Sequence, residues 1–373
     1  MTASPNRVYL PAIDQLRALA ALLVLFYHSF ELIGAQLAYH QDFDMQKNWI
    51  YTRNPLVALI QEGHSGVTLF IVLSGFILSL GAIGHGINYF KFIWARVLRL
   101  YPLLIVCFLA AVLMRPLGSV SLYQSFITLI PLGVEGNLQS VFTTMFWAVT
   151  IEFQCYVFFP LANRFSNAFG TRAILGLIVA SIAIRVGVFH LQSSGTARDL
   201  SYASLFGRFD QFLMGMLAAR LYVEGKLDWV GRKNLVMSSL LVLVALTGFN
   251  QAGGLPVDGY WKLFWPTVEA AMWAAFIVAY FKTFKDAQNL ASRILAKLGE
   301  ISYSSYLWHF AVVVGVVRLG LFVQITHHPY IDAVITAILV VLPPTLLIAL
   351  VSYQVVEKPF LGWRPKYISK IQP

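Results

Sequence analysis

The chain has 373 residues, of which 58% are hydrophobic and only 12% are charged, and its formal net charge is +10. Soluble domains carry about 25% charged residues, so this composition excludes an ordinary soluble enzyme. It indicates a membrane domain made of apolar helices, because a helix needs roughly 20 mostly apolar residues to cross a bilayer.

Ten apolar segments follow one another from the N-terminus. They predict an all-α, polytopic bundle of about ten transmembrane helices, formed as a single domain over residues 1–373 with no fused soluble domain. The first segment is predicted to be retained rather than cleaved as a leader, because its apolar run is long and holds Arg17 and His28. The predicted spans are 12–34, 63–84, 92–114, 142–162, 172–191, 204–223, 234–250, 261–282, 301–323 and 331–356.

The basic residues are distributed unevenly over the connections between these spans. With the N-terminus placed in the cytoplasm, 19 of the 27 Lys and Arg residues fall on the inner side, 5 on the outer side and 3 within spans. This bias is the positive-inside signature, and it predicts that both termini are cytoplasmic. The lipid bilayer therefore accounts for the positive charge, and no nucleic-acid partner is expected.

The first span carries ionisable residues on one face. Arg17 and His28 are 11 positions apart, which places them within roughly 20° around the helix and about 16 Å apart along its axis. Asp14 lies near the same face. Charged side chains inside a bilayer are costly, so the aligned pair favours a functional role. The alternative is that Arg17 reaches the lipid interface and His28 makes one interhelical hydrogen bond.

Charged residues in the third and fourth spans extend this pattern. Arg96 and Arg99 share one face at the inner end of the third span, where two guanidinium groups suit a phosphate or a carboxylate. Anchoring at the positive inner surface is the simpler explanation of these two residues taken alone. Glu152 lies near the middle of the fourth span, where a catalytic role and a structural ion pair are both open.

Four further residues within the spans have less specific interpretations. Asp210 in the sixth span is expected to pair with a neighbouring helix, and His309 in the ninth span is ambiguous. Cys107 and Cys155 are interpreted as small packing residues rather than as a disulfide or a metal site.

Two connections are predicted to have structure of their own. The outer connection 115–141 is half apolar over 125–134, which makes it a candidate for a segment that dips back into the membrane. Residues 284–298 alternate apolar and polar side chains at helical spacing, which predicts an amphipathic helix, either on the inner leaflet or as a soluble connector.

Six short motifs follow one another along the chain. They are Ile13-Asp14-Gln15-Leu16-Arg17 with His28, Gly66-Val67 with Phe70-Ile71-Val72-Leu73-Ser74-Gly75-Phe76, Arg96 with Arg99, Trp147 with Ile151-Glu152-Phe153-Gln154, Ile301-Ser302-Tyr303 with Tyr306-Leu307-Trp308-His309, and Glu357-Lys358-Pro359. Together they make the sequence similar to the acyltransferase-3 family, multi-pass membrane O-acyltransferases that modify bacterial cell-surface and other saccharides. The resemblance runs from residue 13 to residue 359, and its departures are small: Ala148, Thr150 and Cys155 replace an expected aromatic residue and serines.

The resemblance implies a donor, an acceptor and a location. The donor would be an acyl-coenzyme A, most often acetyl-CoA, used as a substrate with no bound cofactor or metal. Arg96 and Arg99, with Arg17, would hold its phosphates, and its thioester would extend towards His28. The acceptor would be a saccharide hydroxyl on a cell-surface glycan, and the location would be the bacterial inner membrane. The oligomeric state is left open.

A buried neutral imidazole can take the proton of an alcohol that attacks a thioester, which makes His28 the predicted general base. The alternative is that His28 carries the acyl group as a nucleophile. Glu152 would orient or stabilise this histidine or pair with a buried arginine, and Asp14, Asp210 and His309 are candidate supporting residues. A transporter or flippase for lipid-linked saccharide is the competing class, although the two halves lack matching broken helices.

Overall fold

The computed structural model describes residues 10–116, 119–130, 139–192, 195–287 and 289–370, and these residues are mostly helical. A short 3₁₀ turn covers Tyr260–Leu263, and two π-helical segments cover Ala337–Val341 and Tyr353–Glu357. The helices are α1 (Pro11–Tyr39), α2 (Pro55–Gln61), α3 (Ser65–Ala82), α4 (Tyr89–Leu113), α5 (Leu122–Leu129), α6 (Phe146–Phe169), α7 (Thr171–Leu191), α8 (Ala197–Ala203), α9 (Leu205–Val223), α10 (Arg232–Gln251), α11 (Trp265–Phe284), α12 (Leu290–Glu300), α13 (Ser302–Leu319), α14 (Pro329–Thr336), α15 (Leu342–Ser352) and α16 (Lys358–Leu361).

The predicted apolar segments fold as helices, and the protein is a helical membrane protein. Each of the ten predicted spans contains a helix, whereas six helices among the described residues are long and apolar enough to cross a membrane by length and composition. The count of ten spans and the cytoplasmic termini stay predictions. The six helices are Pro11–Tyr39, Ser65–Ala82, Tyr89–Leu113, Thr171–Leu191, Arg232–Gln251 and the run Pro329–Leu361.

Helix α1 has well-defined ends. Pro11 begins it, because the fixed φ of proline suits the first helical position. The helix ends at Tyr39, after which His40 adopts a left-handed conformation (φ 55°) and its backbone N–H donates to the carbonyl of Gln36. The 29 residues between these ends are long enough to hold Arg17 and His28 at two different depths of the bundle.

Helix α3 is the most buried of the candidate spans and lies at the centre of the bundle. It crosses α9 at very short range, because a Cβ atom at Gly75 would lie 2.0 Å from the carbonyl oxygen of Phe212. A Cβ atom at Gly215 would likewise lie 1.9 Å from the carbonyl oxygen of Val72. Two glycines therefore allow the two backbones to touch, as small residues commonly do between membrane helices.

The predicted amphipathic helix over 284–298 is shifted along the chain. Phe284 ends α11, and α12 begins only at Leu290 because the Asn289 side chain caps it by accepting from the backbone N–H of Ser292. Helix α12 packs on the start of α1, where a Cβ atom at Gly299 would lie 1.8 Å from the carbonyl oxygen of Asp14. The connection 115–141 contains the short α5, whereas residues 131–138, which include the end of the apolar stretch 125–134, lie outside the described residues.

The only strands in the described part of the chain form one small antiparallel sheet. Strand β1 (His85–Ile87) pairs with β2 (Ile368–Lys370), so the C-terminal segment returns to the connection between α3 and α4. This return places Tyr367 in the core cluster beside the start of α4.

Candidate functional site

A small cavity of about 50 Å³ lies between α1, α3, α4, α6 and α13. It is lined by three of the residues that the sequence singled out, Arg17, Arg99 and Glu152, which come from three different helices. Ser74 and Tyr306 line it as well, within a largely apolar wall. We call this space the arginine cavity. This volume is below that of typical small-molecule sites, which are about 300–1,000 Å³, so the cavity has room for only part of a large ligand.

Glu152 is held in place by two hydroxyl groups. Ser74 donates a hydrogen bond to Oε1 of Glu152, and Tyr156, one turn further along α6, donates to the same oxygen at 2.5 Å. The sequence assigned Glu152 either to His28 or to a buried arginine. Among the described residues, its hydrogen bonds instead go to these two hydroxyls, and its position on the cavity wall is shared with two arginines.

The three predicted donor-binding arginines have different surroundings. Arg17 forms an ion pair with Asp14 at 3.4 Å, keeps 25% of its side chain exposed and lines the arginine cavity together with Arg99. Arg96 does not line this cavity. Its guanidinium is only 6% exposed and packs over the rings of Phe92, Tyr156 and Tyr367 at 5.3, 5.6 and 5.7 Å.

The structure brings His28 together with a histidine from a distant part of the sequence. Nε2 of His309 lies 3.2 Å from Nδ1 of His28, although 281 positions separate them in the sequence. Nδ1 of His309 lies 2.7 Å from the carbonyl oxygen of Tyr306, and Nδ1 of His28 lies 3.1 Å from the carbonyl oxygen of Val24. We call these two side chains the histidine pair.

These contacts assign the tautomers of the histidine pair. A carbonyl oxygen only accepts hydrogen bonds, so Nδ1 must carry the proton in both rings. Nε2 of neutral His309 is then an acceptor that shares the single Nδ1–H of His28 with the carbonyl oxygen of Val24. Nε2 of His28 is left unprotonated, and no hydrogen bond among the described residues uses it. This nitrogen has the lone pair that a general base needs.

Tyr306 connects the histidine pair to the arginine cavity. Its side chain lines the cavity, and its ring lies 5.8 Å from that of His309, one turn further along α13. Sequence reasoning used Tyr306 only as part of a motif and did not assign a role to Ser74 or Tyr156. The three-residue spacing of Tyr303, Tyr306 and His309 was the available signal, because residues at this spacing share one helix face.

Asp210 belongs to a separate, structural network, as the interhelical-pairing interpretation expected. Arg185 of α7 is fully buried, forms an ion pair with Asp210 of α9, and donates to the carbonyl oxygens of Gly207 (3.0 Å) and Leu263 (2.7 Å). Thr267 of α11 donates its hydroxyl to Asp210. The network ties three helices together and is not part of the arginine cavity.

The cysteines act as packing residues. Cys107 and Cys155 are free and fully buried in the core. The residues that the structure describes also contain no group of three or more His, Cys, Asp or Glu side chains that could hold a metal ion.

Comparison with known proteins identifies the family. The family model described as an acyltransferase domain, that of the acyltransferase-3 family, matches residues 10–354. The chain therefore belongs to this family, whose members transfer acyl groups other than aminoacyl groups. No solved structure matches the chain.

Three relatives illustrate the similarity at low identity. A Staphylococcus aureus (strain COL) protein, named provisionally as an O-acetyltransferase, is 24% identical over 96% of this chain and 60% of its own length. A protein of Acidianus two-tailed virus, named provisionally as an acetyltransferase, is 26% identical over 85% of this chain and 88% of its own. Acyltransferase MdmB of Streptomyces mycarofaciens is 27% identical over 83% and 80%. The chain thus spans about three-fifths of the length of the staphylococcal relatives.

Proposed function

We propose that this protein is a membrane O-acyltransferase that transfers an acetyl group from acetyl-CoA to a hydroxyl group of a saccharide. The observation that carries the proposal is the arrangement along α1, where Arg17 lines the arginine cavity and His28, about 16 Å further along the axis, belongs to the histidine pair. One helix would then contact both ends of the donor, its phosphates and its thioester. The names of the staphylococcal and viral relatives favour acetyl as the acyl group.

The donor would enter at the arginine cavity. Arg17 and Arg99 offer two guanidinium groups, which bind phosphate oxygens through paired, charge-assisted hydrogen bonds. Coenzyme A carries its phosphates at one end and its thioester at the other. Tyr306 marks the route by which the thioester would extend from the cavity towards the histidine pair.

Transfer at the histidine pair would be general-base catalysis. The acceptor oxygen bonds to the thioester carbonyl carbon as its proton passes to Nε2 of His28. Collapse of the adduct breaks the carbon–sulfur bond, and the proton goes to the departing sulfur, giving the acetyl ester and free coenzyme A. His309 is a positioning residue, since it accepts from Nδ1 of His28 and so fixes the tautomer in which Nε2 is the base.

The proposed setting is the bacterial inner membrane, with the donor reaching the cytoplasmic side and a glycan destined for the cell surface as the acceptor. The family and the apolar helices support a membrane location. The proposed sidedness is supported by the distribution of basic residues, which predicts that the start of α1 and its Arg17 lie at the inner face.

The test uses purified full-length protein and labelled acetyl-CoA, with the release of coenzyme A and the labelled ester as readouts. We expect His28→Ala to lower kcat by at least about 100-fold, because a general base contributes 10²- to 10⁴-fold. His309→Gln keeps an oxygen acceptor for Nδ1–H and should retain more activity than His309→Ala. His190→Ala, at an exposed histidine of α7, is the matched control and should behave like the wild type.

The same preparation separates the alternatives. Substantial activity in a folded His28→Ala variant would contradict the assignment of the base. Label that becomes bound to the protein in a single turnover would favour the acyl-carrier version, in which His28 is the nucleophile. A wild-type protein that moves saccharide across vesicles without forming an acetyl ester would be a transporter, and the proposal would be wrong.

A further inference from the structure

A groove with a volume of about 630 Å³ lies between α9, α10 and α11, and its wall is almost wholly apolar. This volume is within the range of small-molecule sites, which are about 300–1,000 Å³. The groove shares no lining residue with the arginine cavity, so it is separate from the candidate site for acyl transfer. We call it the α10 groove, because α10 contributes most of its length.

The α10 groove is open on one side. Met237, Leu241 and Val244 of α10 line it, and each of these side chains is between 49 and 69% exposed. Helix α11 contributes the small side chains of Ala274 and Ala275, which leave the space that larger side chains would fill. A large open apolar face of this kind marks contact with a membrane or with a partner. In a helical membrane protein it faces the lipid chains.

The depth of the groove matches one leaflet of a bilayer. It begins at the connection between α9 and α10, where the exposed Trp229 lines it, and it follows α10 from Asn234 to Val244. Ten residues of helix rise about 15 Å, which is half of the roughly 30 Å hydrocarbon core. Tryptophan is enriched where the core meets the head groups. A chain that enters beside Trp229 would therefore end near the middle of the bilayer, which is the reach of one phospholipid acyl chain.

Two cations beside the mouth of the groove have no acidic partner. Arg232 and Lys233 begin α10, and both are exposed, with no ion pair or side-chain hydrogen bond within the described part of the chain. The acidic residues at this end, Glu224 and Asp228, each pair with a neighbouring Lys or Arg at 3.4 Å or less. The dipole of α10 adds positive charge at the same place. The mouth of the groove is therefore complementary to a negatively charged head group.

We propose that the α10 groove binds one anionic phospholipid, with an acyl chain in the groove and the phosphate and head group beside Arg232 and Lys233. The positive-inside bias predicts that this end of α10 lies at the inner face, so the lipid would belong to the inner leaflet. A polyprenyl carrier is several times longer than one acyl chain and would extend beyond the groove. The inference goes beyond acyl transfer and does not depend on it.

The test measures lipid binding without turnover. Full-length protein in a neutral detergent is titrated with phosphatidylglycerol, with phosphatidylcholine of the same acyl chains, or with a polyprenyl phosphate, and native mass spectrometry gives the affinity of the first bound lipid. We expect phosphatidylglycerol to bind most tightly. The double variant Arg232→Gln/Lys233→Gln should weaken its binding by about tenfold and leave phosphatidylcholine nearly unchanged, because each basic residue near an anionic head group adds to the attraction. Ala275→Phe fills part of the groove and should weaken both phospholipids, because the chain loses buried apolar area.

Each variant has a matched control. Arg293→Gln/Lys297→Gln removes the same charges from exposed positions of α12, and Ala180→Phe adds the same ring at an exposed position of α7. Both controls should bind phosphatidylglycerol like the wild type. Equal affinities for the two phospholipids, undiminished binding in the groove variants, or an equal loss in the controls would overturn the inference. Tighter binding of the polyprenyl phosphate than of phosphatidylglycerol would do the same.

Discussion

At the scale of single residues, the two arginines of the Arg-x-x-Arg motif are not equivalent. Arg99 lines the arginine cavity, whereas Arg96 is enclosed by three aromatic rings and bonds to the hydroxyl of Tyr367 at 3.4 Å. Their spacing on α4 suggested one clamp, but a helix face is wide enough for two neighbours to meet different environments. Arg96 therefore serves the packing of α4 against α6 and the C-terminal segment.

This difference predicts opposite effects of two similar substitutions. We expect Arg99→Ala to raise the KM for acetyl-CoA by about tenfold or more, because a charge-assisted bond to phosphate is lost. Arg96→Ala should leave this KM nearly unchanged and lower the thermal stability, because the cation–π contacts with three rings are lost. Steady-state kinetics and thermal unfolding of both variants check the prediction. An equal rise of KM in the two variants would indicate that Arg96 and Arg99 bind the donor together, and would contradict the prediction.

The sequence located some of these residues and could not have located others. Arg17 and His28 were found because helical geometry alone relates them, and the cost of charge in a bilayer draws attention to both. The contact between His28 and His309 depends on how α13 packs against α1, which no local pattern records. For the same reason the sequence left Glu152 open between His28 and a buried arginine, and did not predict its hydrogen bonds with Ser74 and Tyr156.

At the scale of helices, the crossing of α3 and α9 positions the site. Gly75 follows Ser74 directly, so the close approach at Gly75 and Gly215 sets the height at which Ser74 meets Glu152. The apolar runs predicted where the helices lie. The crossing was not predictable from them, because a glycine in an apolar segment is compatible with many packing arrangements.

The crossing makes Gly215 intolerant of even one methyl group. Gly215→Ala would place Cβ against the backbone of α3, and such overpacking typically costs about 1–3 kcal/mol. We expect a lower melting temperature and reduced acetyl transfer. Gly187→Ala in α7 is the control, since nothing lies within 4 Å of its Cβ position, and alanine favours a helix by up to about 1 kcal/mol. Similar melting temperatures for the two variants would contradict the close crossing.

At the scale of the whole molecule, α1 relates the two parts of the candidate site. Arg17 lines the arginine cavity near the start of α1, and His28 belongs to the histidine pair in its second half. The positive-inside bias predicts that the start of α1 lies at the cytoplasmic face, where the proposed donor would enter. The charge pattern of the sequence therefore supports the proposed approach of the donor from the cytoplasm.

Cysteine accessibility tests this direction in intact cells. The native Cys107 and Cys155 are fully buried, so the wild-type protein should react little with a membrane-impermeant thiol reagent. Gln41→Cys, at an exposed position after α1, should be labelled from outside, whereas Lys233→Cys, at an exposed position of α10, should be labelled only after permeabilisation. The reverse pattern would place Arg17 and Arg99 on the side that cytoplasmic acetyl-CoA cannot reach. It would contradict the proposal that these two arginines bind acetyl-CoA.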